Sequence, residues 1–287
     1  MKFINFIFIS LLTLGFGDLR GQTELSKTLH KAKNLYETED FEAALESYGQ
    51  ALKEDKTNYE AAMGFADSQH KLSLFMEAIT SYNKAQKLKE DDPKLYFNRA
   101  AARIFIQDYN RAIKDLNKSI KLGNNTPEVY YFRAFAYAET NRHRKAINDY
   151  DKAIEIKPDY ADAIYNRGAS KAEMGHYEEG IADFETAIGK DNSLTNGKIN
   201  LALSQLGLKN YEEAIKRLSE IIELRDEDLA KAYFYRAEAQ FEIKEKEQAC
   251  NDWNKAANLG YEQAIENAST YCKEKGKTKK KRIKIIF

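Results

Sequence analysis

Four histidines and two cysteines are the side chains of this 287-residue chain that are best suited to catalysis or metal binding. Histidine can act as a general base or a metal ligand near neutral pH, and a cysteine thiolate can act as a nucleophile. The histidines are far apart in the sequence, at His30, His70, His143 and His176. The sequence also lacks a glycine-rich phosphate loop and the HExxH and GxSxG motifs. We therefore predict that the protein is not an enzyme and uses no metal, cofactor or small-molecule substrate.

A second arrangement with chemical potential is an arginine that lies sixteen residues before an aspartate. It occurs four times, as Arg99 with Asp115, Arg133 with Asp149, Arg167 with Asp183, and Arg236 with Asp252. A guanidinium and a carboxylate can form a bidentate ion pair. Four copies of a stabilising ion pair are more plausible than four copies of a catalytic site. We therefore predict structural ion pairs, each within a single structural repeat.

The composition indicates that helices position these residues. The chain contains one valine, Val129, and three prolines, and valine is among the best strand formers. Hydrophobic residues make up 43% and charged residues 31% of the chain, which excludes an intrinsically disordered protein. We predict an all-α fold.

A small residue followed by an aliphatic residue or a cysteine recurs at spacings of 34, 34, 34, 34, 34 and 35 residues. The markers are Ala44-Leu45, Ala78-Ile79, Ala112-Ile113, Ala146-Ile147, Gly180-Ile181, Ala214-Ile215 and Ala249-Cys250. Around each marker, apolar residues recur three and four positions apart, which predicts two amphipathic helices per repeat. The small side chains allow the two helices to approach closely, and a large residue four positions after the marker fills the space beside them.

This 34-residue helix-turn-helix pattern resembles the tetratricopeptide repeat family. The resemblance implies a right-handed α-solenoid of seven repeats over residues 25–263, followed by a capping helix at 262–273. The predicted repeats are 25–58, 59–92, 93–126, 127–160, 161–194, 195–229 and 230–263.

The two ends of the chain differ from the repeats. Residues 1–21 contain Lys2 and an uncharged run of 15 residues from Phe3 to Gly17, which predicts a secretory signal peptide and a periplasmic or secreted protein. A retained membrane anchor is the alternative. Residues 274–287 are predicted to be a disordered tail, because eight basic residues accompany one acid from Lys273 onward. The formal net charge of zero thus combines this basic tail with a central part, 22–272, of 35 basic and 43 acidic residues.

The two cysteines, Cys250 and Cys272, lie symmetrically about residue 261. That residue falls at the predicted turn before the capping helix, so antiparallel helices would bring the two thiols face to face. In an exported chain they form either a disulfide or, alternatively, two buried free thiols.

The resemblance also implies a concave groove, lined by the first helices of successive repeats, that holds an extended peptide or a helix of a partner. Its predicted apolar floor is Phe97, Ile104, Phe105, Tyr131, Phe135, Tyr165, Ile199, Leu203, Phe234 and Phe241. Its predicted charged positions, nine acids and four bases, are Lys33, Glu37, Glu60, Asp67, Lys71, Lys94, Glu128, Glu139, Asp162, Glu173, Lys231, Glu238 and Glu242. We therefore expect a partner segment that is apolar with basic flanks.

The resulting hypothesis is a non-enzymatic protein-interaction scaffold. One alternative is a surface-tethered adaptor whose basic tail binds an anionic membrane or nucleic acid. Another is that the tail occupies the acidic groove of its own or a neighbouring molecule.

Overall fold

The computed structural model describes residues 24–191, 197–225, 228–272 and Ile285, and every regular element within these ranges is an α-helix. The all-α fold is therefore confirmed, and none of the described helices is long and apolar enough to cross a membrane. The helices are α1 (24–37), α2 (Phe41–Glu54), α3 (Tyr59–Lys71), α4 (Phe75–Leu88), α5 (Pro93–Phe105), α6 (Tyr109–Lys121), α7 (Pro127–Ala138), α8 (His143–Ile156), α9 (Ala161–Glu173), α10 (Tyr177–Lys190), α11 (Gly197–Gly207), α12 (Tyr211–Leu224), α13 (Leu229–Glu242), α14 (Lys246–Asn258) and α15 (Glu262–Tyr271).

The chain divides into two compact units, an N-terminal unit that ends at Ala136 and a C-terminal unit that begins at Tyr137. In the N-terminal unit, α3 packs on α4 and α5 packs on α6, while α2 and α4 each pack on the first helix of the next repeat. The C-terminal unit repeats this arrangement, and there α15 packs on α14. Within each unit, a repeat is thus a helix pair that also contacts its neighbour.

The core includes the residues at the repeat markers. The small markers Ala44, Ala78, Ala112, Ala146, Ala214 and Ala249 are all 0% exposed. The large side chains four positions later are equally buried, at 0% for Tyr82, Leu116, Tyr150, Phe184, Leu218 and Trp253. The packing predicted from the 34-residue spacing is confirmed.

The turn inside each repeat contains one residue with a left-handed backbone. These residues are Glu39, Ser73, Gln107, Asn141, Gly175, Lys209 and Lys244. The left-handed conformation turns the N–H toward the last turn of the first helix, as in the 3.0 Å hydrogen bond from Ser73 N to His70 O. Six of the seven residues are not glycine, so their identities did not predict this shared conformation.

Three of the four predicted Arg–Asp pairs are bidentate. Nε and Nη2 of the arginine donate to the two carboxylate oxygens at 2.8 and 2.7 Å in Arg99–Asp115, at 2.9 and 2.6 Å in Arg167–Asp183, and at 2.6 and 3.0 Å in Arg236–Asp252. The fourth pair, Arg133 with Asp149, has one member in each compact unit and stays a prediction.

The same guanidiniums also bind the second helix of the preceding repeat, a contact that the sequence pattern did not predict. Nη1 donates from Arg99 to Asn83 (2.7 Å) and Gln86 (2.6 Å), from Arg133 to Asn117 (2.8 Å), from Arg167 to Asp151 (2.8 Å) and from Arg236 to Ser219 (2.9 Å). The arginine therefore fixes the orientation of a first helix against two second helices, and so sets the direction of the side chains on its other face.

Candidate functional site

The first helices α1, α3 and α5 of the N-terminal unit line an open cavity of about 470 Å³. Its walls are Lys33, Tyr36, Glu37, Tyr48, Tyr59, Glu60, Met63, Gly64, Asp67, Asp92 and Lys94. Five of these residues are among the predicted charged groove positions, so the structure brings them together. The three tyrosines and Asp92 were not predicted as site residues. The cavity thus combines aromatic walls with four carboxylates and two ammonium groups.

Asp67 is the deepest charged group of this cavity and is 9% exposed. Its Oδ1 accepts hydrogen bonds from the Tyr82 hydroxyl at 2.6 Å and from Asn98 Nδ2 at 2.7 Å. The nearest ammonium, Lys94 Nζ, is 3.9 Å from Oδ2, which is beyond hydrogen-bond range. One carboxylate oxygen is therefore held by the protein, while the other is available to a group inside the cavity.

The ring of Tyr48 forms a wall of the cavity because residue 64 is a glycine. A Cβ added to Gly64 would lie 2.2 Å from Tyr48 Cζ, so any larger residue would displace the ring. Burial, followed by the nearby carboxylates of Glu60 and Asp67, raises the pKa of Tyr48 to about 12. Burial and Asp67 likewise raise the pKa of Tyr36 to about 12. Both hydroxyls stay protonated at neutral pH in a field that disfavours negative charge.

The hydroxyl of Tyr59 already makes a hydrogen bond within the protein. It donates to Asp92 Oδ2 at 2.8 Å, and burial followed by this hydrogen bond raises the pKa of Tyr59. Asp92 also caps α5, since its Oδ1 accepts from Lys94 N at 2.8 Å and Pro93 is the first residue of that helix. The edge of the cavity is therefore fixed by the start of the third repeat.

The predicted groove residues of the third and fourth repeats continue this surface. Phe97 and Tyr131 lie 34 and 68 residues after Met63, and Phe135 lies 68 residues after Asp67. All three rings are half-buried. Phe97 and Tyr131 each contact Phe132 edge-on, at 5.5 and 5.6 Å between ring centroids. Ile104 and Glu128 are also half-buried at their positions along α5 and α7.

Phe105 is the most accessible of the predicted floor residues, at 62% exposed. Its ring stacks on Phe75 with 4.5 Å between centroids and 3° between planes, and His70 contacts it edge-on at 5.9 Å. Burial lowers the pKa of His70, Lys71 lowers it further, and Asp67 opposes the change. Phe105 therefore offers one free face at the end of α5 from a fixed position.

In the C-terminal unit the predicted apolar groove residues pack against other side chains of the same unit. The half-buried Tyr165 contacts Phe184 at 5.4 Å and accepts a 2.7 Å hydrogen bond from Asn200. Phe241 lies against the rings of Trp253 and Tyr271, at 5.3 and 5.0 Å. Of the predicted acids of this unit, Glu139, Asp162, Glu173 and Glu242 are exposed.

Three predicted floor residues are corrected by the structure. Ile199 and Leu203 are 0% exposed and Phe234 is 6% exposed, and all three belong to the core of the C-terminal unit. Phe234 is covered because Tyr261, the residue before α15, lies 4.7 Å from its ring centroid. Glu238 was predicted as a groove acid but is 3% exposed and accepts from Trp253 Nε1 (3.0 Å) and Asn267 Nδ2 (2.6 Å). Phe234 and Glu238 connect the last repeat to Tyr261 and α15. All four residues are buried and are not available to a partner.

The capping segment is joined to the last repeat by a disulfide between Cys250 and Cys272, whose Cα atoms are 5.6 Å apart. Ile285 packs against the same core as these cysteines. The predicted signal peptide and the remainder of the basic tail lie outside the described residues, so the surface-tether and tail-in-groove alternatives stay predictions.

Family models place almost all of the helical region in one family. A model described as tetratricopeptide repeat matches residues 29–93 and 199–265. A second model with that description matches 93–125 and 161–192, and a model described as TPR repeat matches 136–175. A comparison with curated proteins gives no match.

Solved structures show the same architecture. The chain is similar to the crystal structure of a MamA protein at 26% identity, with 58% of this chain and 92% of that chain covered and a TM-score of 0.54. A tetratricopeptide repeat protein from Parabacteroides merdae is 20% identical, over 86% of this chain and 98% of that chain, with a TM-score of 0.62. YrrB, described as a TPR protein with an unusual peptide-binding site, is 18% identical over 66% and 96% of the two chains, with a TM-score of 0.58. With helix pairs repeating every 34 or 35 residues and family models matching most of the chain between residues 29 and 265, this chain belongs to the tetratricopeptide repeat family.

Proposed function

We propose that this protein is a non-enzymatic interaction scaffold that binds an extended peptide or a helix of a partner protein along the first helices of its N-terminal unit. The observation that carries the proposal is the accessibility of large side chains on these helices. Phe105 is 62% exposed, and Phe97, Tyr131 and Phe135 each keep part of their ring accessible. Aromatic anchors of this kind commonly dominate the energy of protein interfaces.

The surface is preformed, which favours binding. The helices are fixed by buried ion pairs to their neighbours, and Phe105 is fixed by stacking on Phe75. A partner would therefore order few receptor side chains, and less of the interaction energy is lost to entropy. The peptide-binding site named for YrrB shows that a protein of this fold has such a site.

The expected partner segment is apolar with basic flanks. The aromatic positions of α5 and α7 would contact its apolar residues. The neighbouring cavity, with four carboxylates and two ammonium groups among its walls, favours positive charge next to them.

Selection from a random peptide display library tests this proposal. We expect enrichment of peptides that combine aromatic or large aliphatic residues with Arg or Lys. A selected peptide should bind Phe105→Ala or Tyr131→Ala at least about tenfold more weakly in fluorescence anisotropy, in line with the loss of an anchor. Met76→Ala is the matched control, because Met76 is also 62% exposed but lies on the second helix of its repeat. The proposal fails if no peptides are enriched, or if Met76→Ala weakens binding as much as Phe105→Ala.

The proposal includes export from the cytoplasm. It is supported by the signal-like residues 1–21 and by the Cys250–Cys272 disulfide, since disulfides persist in oxidising compartments. Expressed in a bacterial host, the full chain should appear in the periplasmic fraction with both cysteines protected from alkylation. A chain lacking residues 1–21 should stay in the cytoplasm with reactive thiols. Cytoplasmic full-length protein with two free thiols would contradict export.

A further inference from the structure

The cavity between α1, α3 and α5 has the features of a site for one specific side chain. It has a volume of about 470 Å³ and contains an acid that is nine-tenths buried, Asp67. We propose that this cavity binds an arginine side chain of the partner, with Asp67 Oδ2 accepting from the guanidinium and the Tyr36 and Tyr48 rings contacting its flat faces. This inference rests on the proposed function and names the residue that the partner inserts.

The hydrogen bonds of Asp67 define the polarity of the site. Oδ1 already accepts from Tyr82 and Asn98, at 2.6 and 2.7 Å. Both donors belong to the protein, so the carboxylate is held in one orientation with Oδ2 toward the cavity. Asp67 is 9% exposed, and the charged donor nearest to Oδ2 among the described residues is Lys94 Nζ at 3.9 Å. A charged N–H group that enters the cavity can therefore form a closer hydrogen bond to this oxygen.

The charges around the cavity favour a cation over an anion. Glu37, Glu60 and Asp92 are on its walls with Asp67, against Lys33 and Lys94. The two lysine side chains are 60% and 71% exposed and their closest carboxylate contacts are both 3.9 Å, so both ammonium groups are solvated and free to move aside. Burial is the main cause of the raised pKa values of Tyr36 and Tyr48, and the carboxylate of Asp67 raises both in the same direction.

Arginine fits this environment better than lysine. A guanidinium is planar, so it can stack on an aromatic ring while its N–H groups bind a carboxylate. The chain uses this arrangement in its own core, where the Arg99 guanidinium lies 5.4 Å from the Tyr96 ring centroid and binds Asp115. Arg236 with Tyr233 and Asp252 repeats it, at 5.5 Å.

The test uses N-acetyl-arginine methylamide as the probe, with the neutral N-acetyl-citrulline methylamide as its isostere. Binding to the full chain is measured from the shifts of tyrosine ring signals in a ¹H–¹³C NMR titration at low salt. We expect saturable binding of the arginine probe and at least about tenfold weaker binding of the citrulline probe. Equal binding of the two probes would overturn the proposal, as would no binding of either.

Three variants distinguish binding of the probe at Asp67 from general attraction of a cation to an acidic surface. Asp67→Asn keeps an acceptor for Tyr82 and Asn98 but removes the charge, and we expect at least about tenfold weaker binding of the arginine probe. Lys94→Gln removes the competing ammonium from an exposed position, so it should strengthen binding without affecting the fold. Glu77→Gln removes an exposed acid on α4 and should leave binding unchanged.

These outcomes are independent of the peptide-library result. The small probe has no chain to lie along α5 and α7, so its binding reports the cavity alone. If Asp67→Asn melts at the wild-type temperature and binds as well as wild type, or if Lys94→Gln weakens binding, the arginine assignment is wrong even where library peptides bind.

Discussion

Replacing Asp115 by alanine should destabilise the N-terminal unit more than any exposed substitution. Asp115 accepts three charge-assisted hydrogen bonds, from Arg99 Nε (2.8 Å), Arg99 Nη2 (2.7 Å) and Arg103 Nη1 (2.6 Å). Both Asp115 and Arg99 are 5% exposed. The substitution leaves a buried guanidinium whose remaining acceptors are the neutral side chains of Asn83 and Gln86.

The expected cost of Asp115→Ala is about 3–5 kcal/mol, the range for breaking a buried ion pair by removing one partner. Arg99→Leu should cost less, about 2–3 kcal/mol, because Asp115 keeps the hydrogen bond from Arg103. The double variant, Arg99→Leu with Asp115→Ala, has no buried guanidinium at position 99. We therefore expect its free energy of unfolding to be lower than that of the wild type by about 2–3 kcal/mol in total. The two single effects would then exceed the double effect by at least about 2 kcal/mol.

Urea unfolding followed by far-UV circular dichroism and by tyrosine fluorescence measures these free energies, and coincident curves are required because repeat arrays can unfold in stages. The exposed pair Glu24 and Lys27, with side chains 67% and 68% exposed, provides the control cycle. Its coupling should be below about 0.5 kcal/mol. Additive effects of Arg99→Leu and Asp115→Ala to within about 0.5 kcal/mol would refute the coupling.

Three further outcomes are expected. Burial lowers the pKa of His70, so the folded state disfavours its protonation. The free energy of unfolding should therefore fall as the pH decreases from about 6.5 through the lower pKa of the folded state. His70→Leu should reduce the loss of unfolding free energy between pH 7.5 and pH 5, and an unchanged loss would contradict this assignment. Gly64→Ala should lower the free energy of unfolding by about 1–3 kcal/mol, because its Cβ would overlap the Tyr48 ring. Gly189→Ala has no neighbour within 4 Å of its Cβ and should raise the free energy of unfolding by about 0.5–1 kcal/mol. Equal melting shifts of the two variants would disprove the close contact. Cys250→Ser should lower the stability of the last repeat by about 3 kcal/mol, as expected for a closed loop of this length, and wild-type protein in reductant should melt like the variant.

The sequence was sufficient for the positions of the helices and of the core. Repetition supplies the reason, because seven copies of one pattern show which positions must be small and which must be large. Ala78 and Tyr82 are buried for the same packing reason as Ala146 and Tyr150. The sequence also paired each arginine with the aspartate sixteen residues later, since the two appear together within a repeat.

Four features of the fold and site were decided by tertiary structure. The period predicts which face of a helix a residue lies on, but not what covers that face. The spacing therefore predicted a groove position for Phe234. In the structure Phe234 is buried, because the ring of Tyr261, the residue before α15, packs against its ring. Tyr48 was predicted as core, yet its ring also forms a cavity wall, because the glycine at position 64 leaves room for the ring to lie against α3.

The hydrogen bonds from Arg99 to the preceding repeat required the relative placement of two repeats, which no single repeat specifies. The same is true of Asp67, whose two donors come from the second helix of its own repeat and the first helix of the next. The sequence by itself thus determined the repeating helix pair, because local packing is encoded at fixed spacing. Only the tertiary structure determined which carboxylate oxygen faces a cavity, because that depends on contacts between neighbouring repeats.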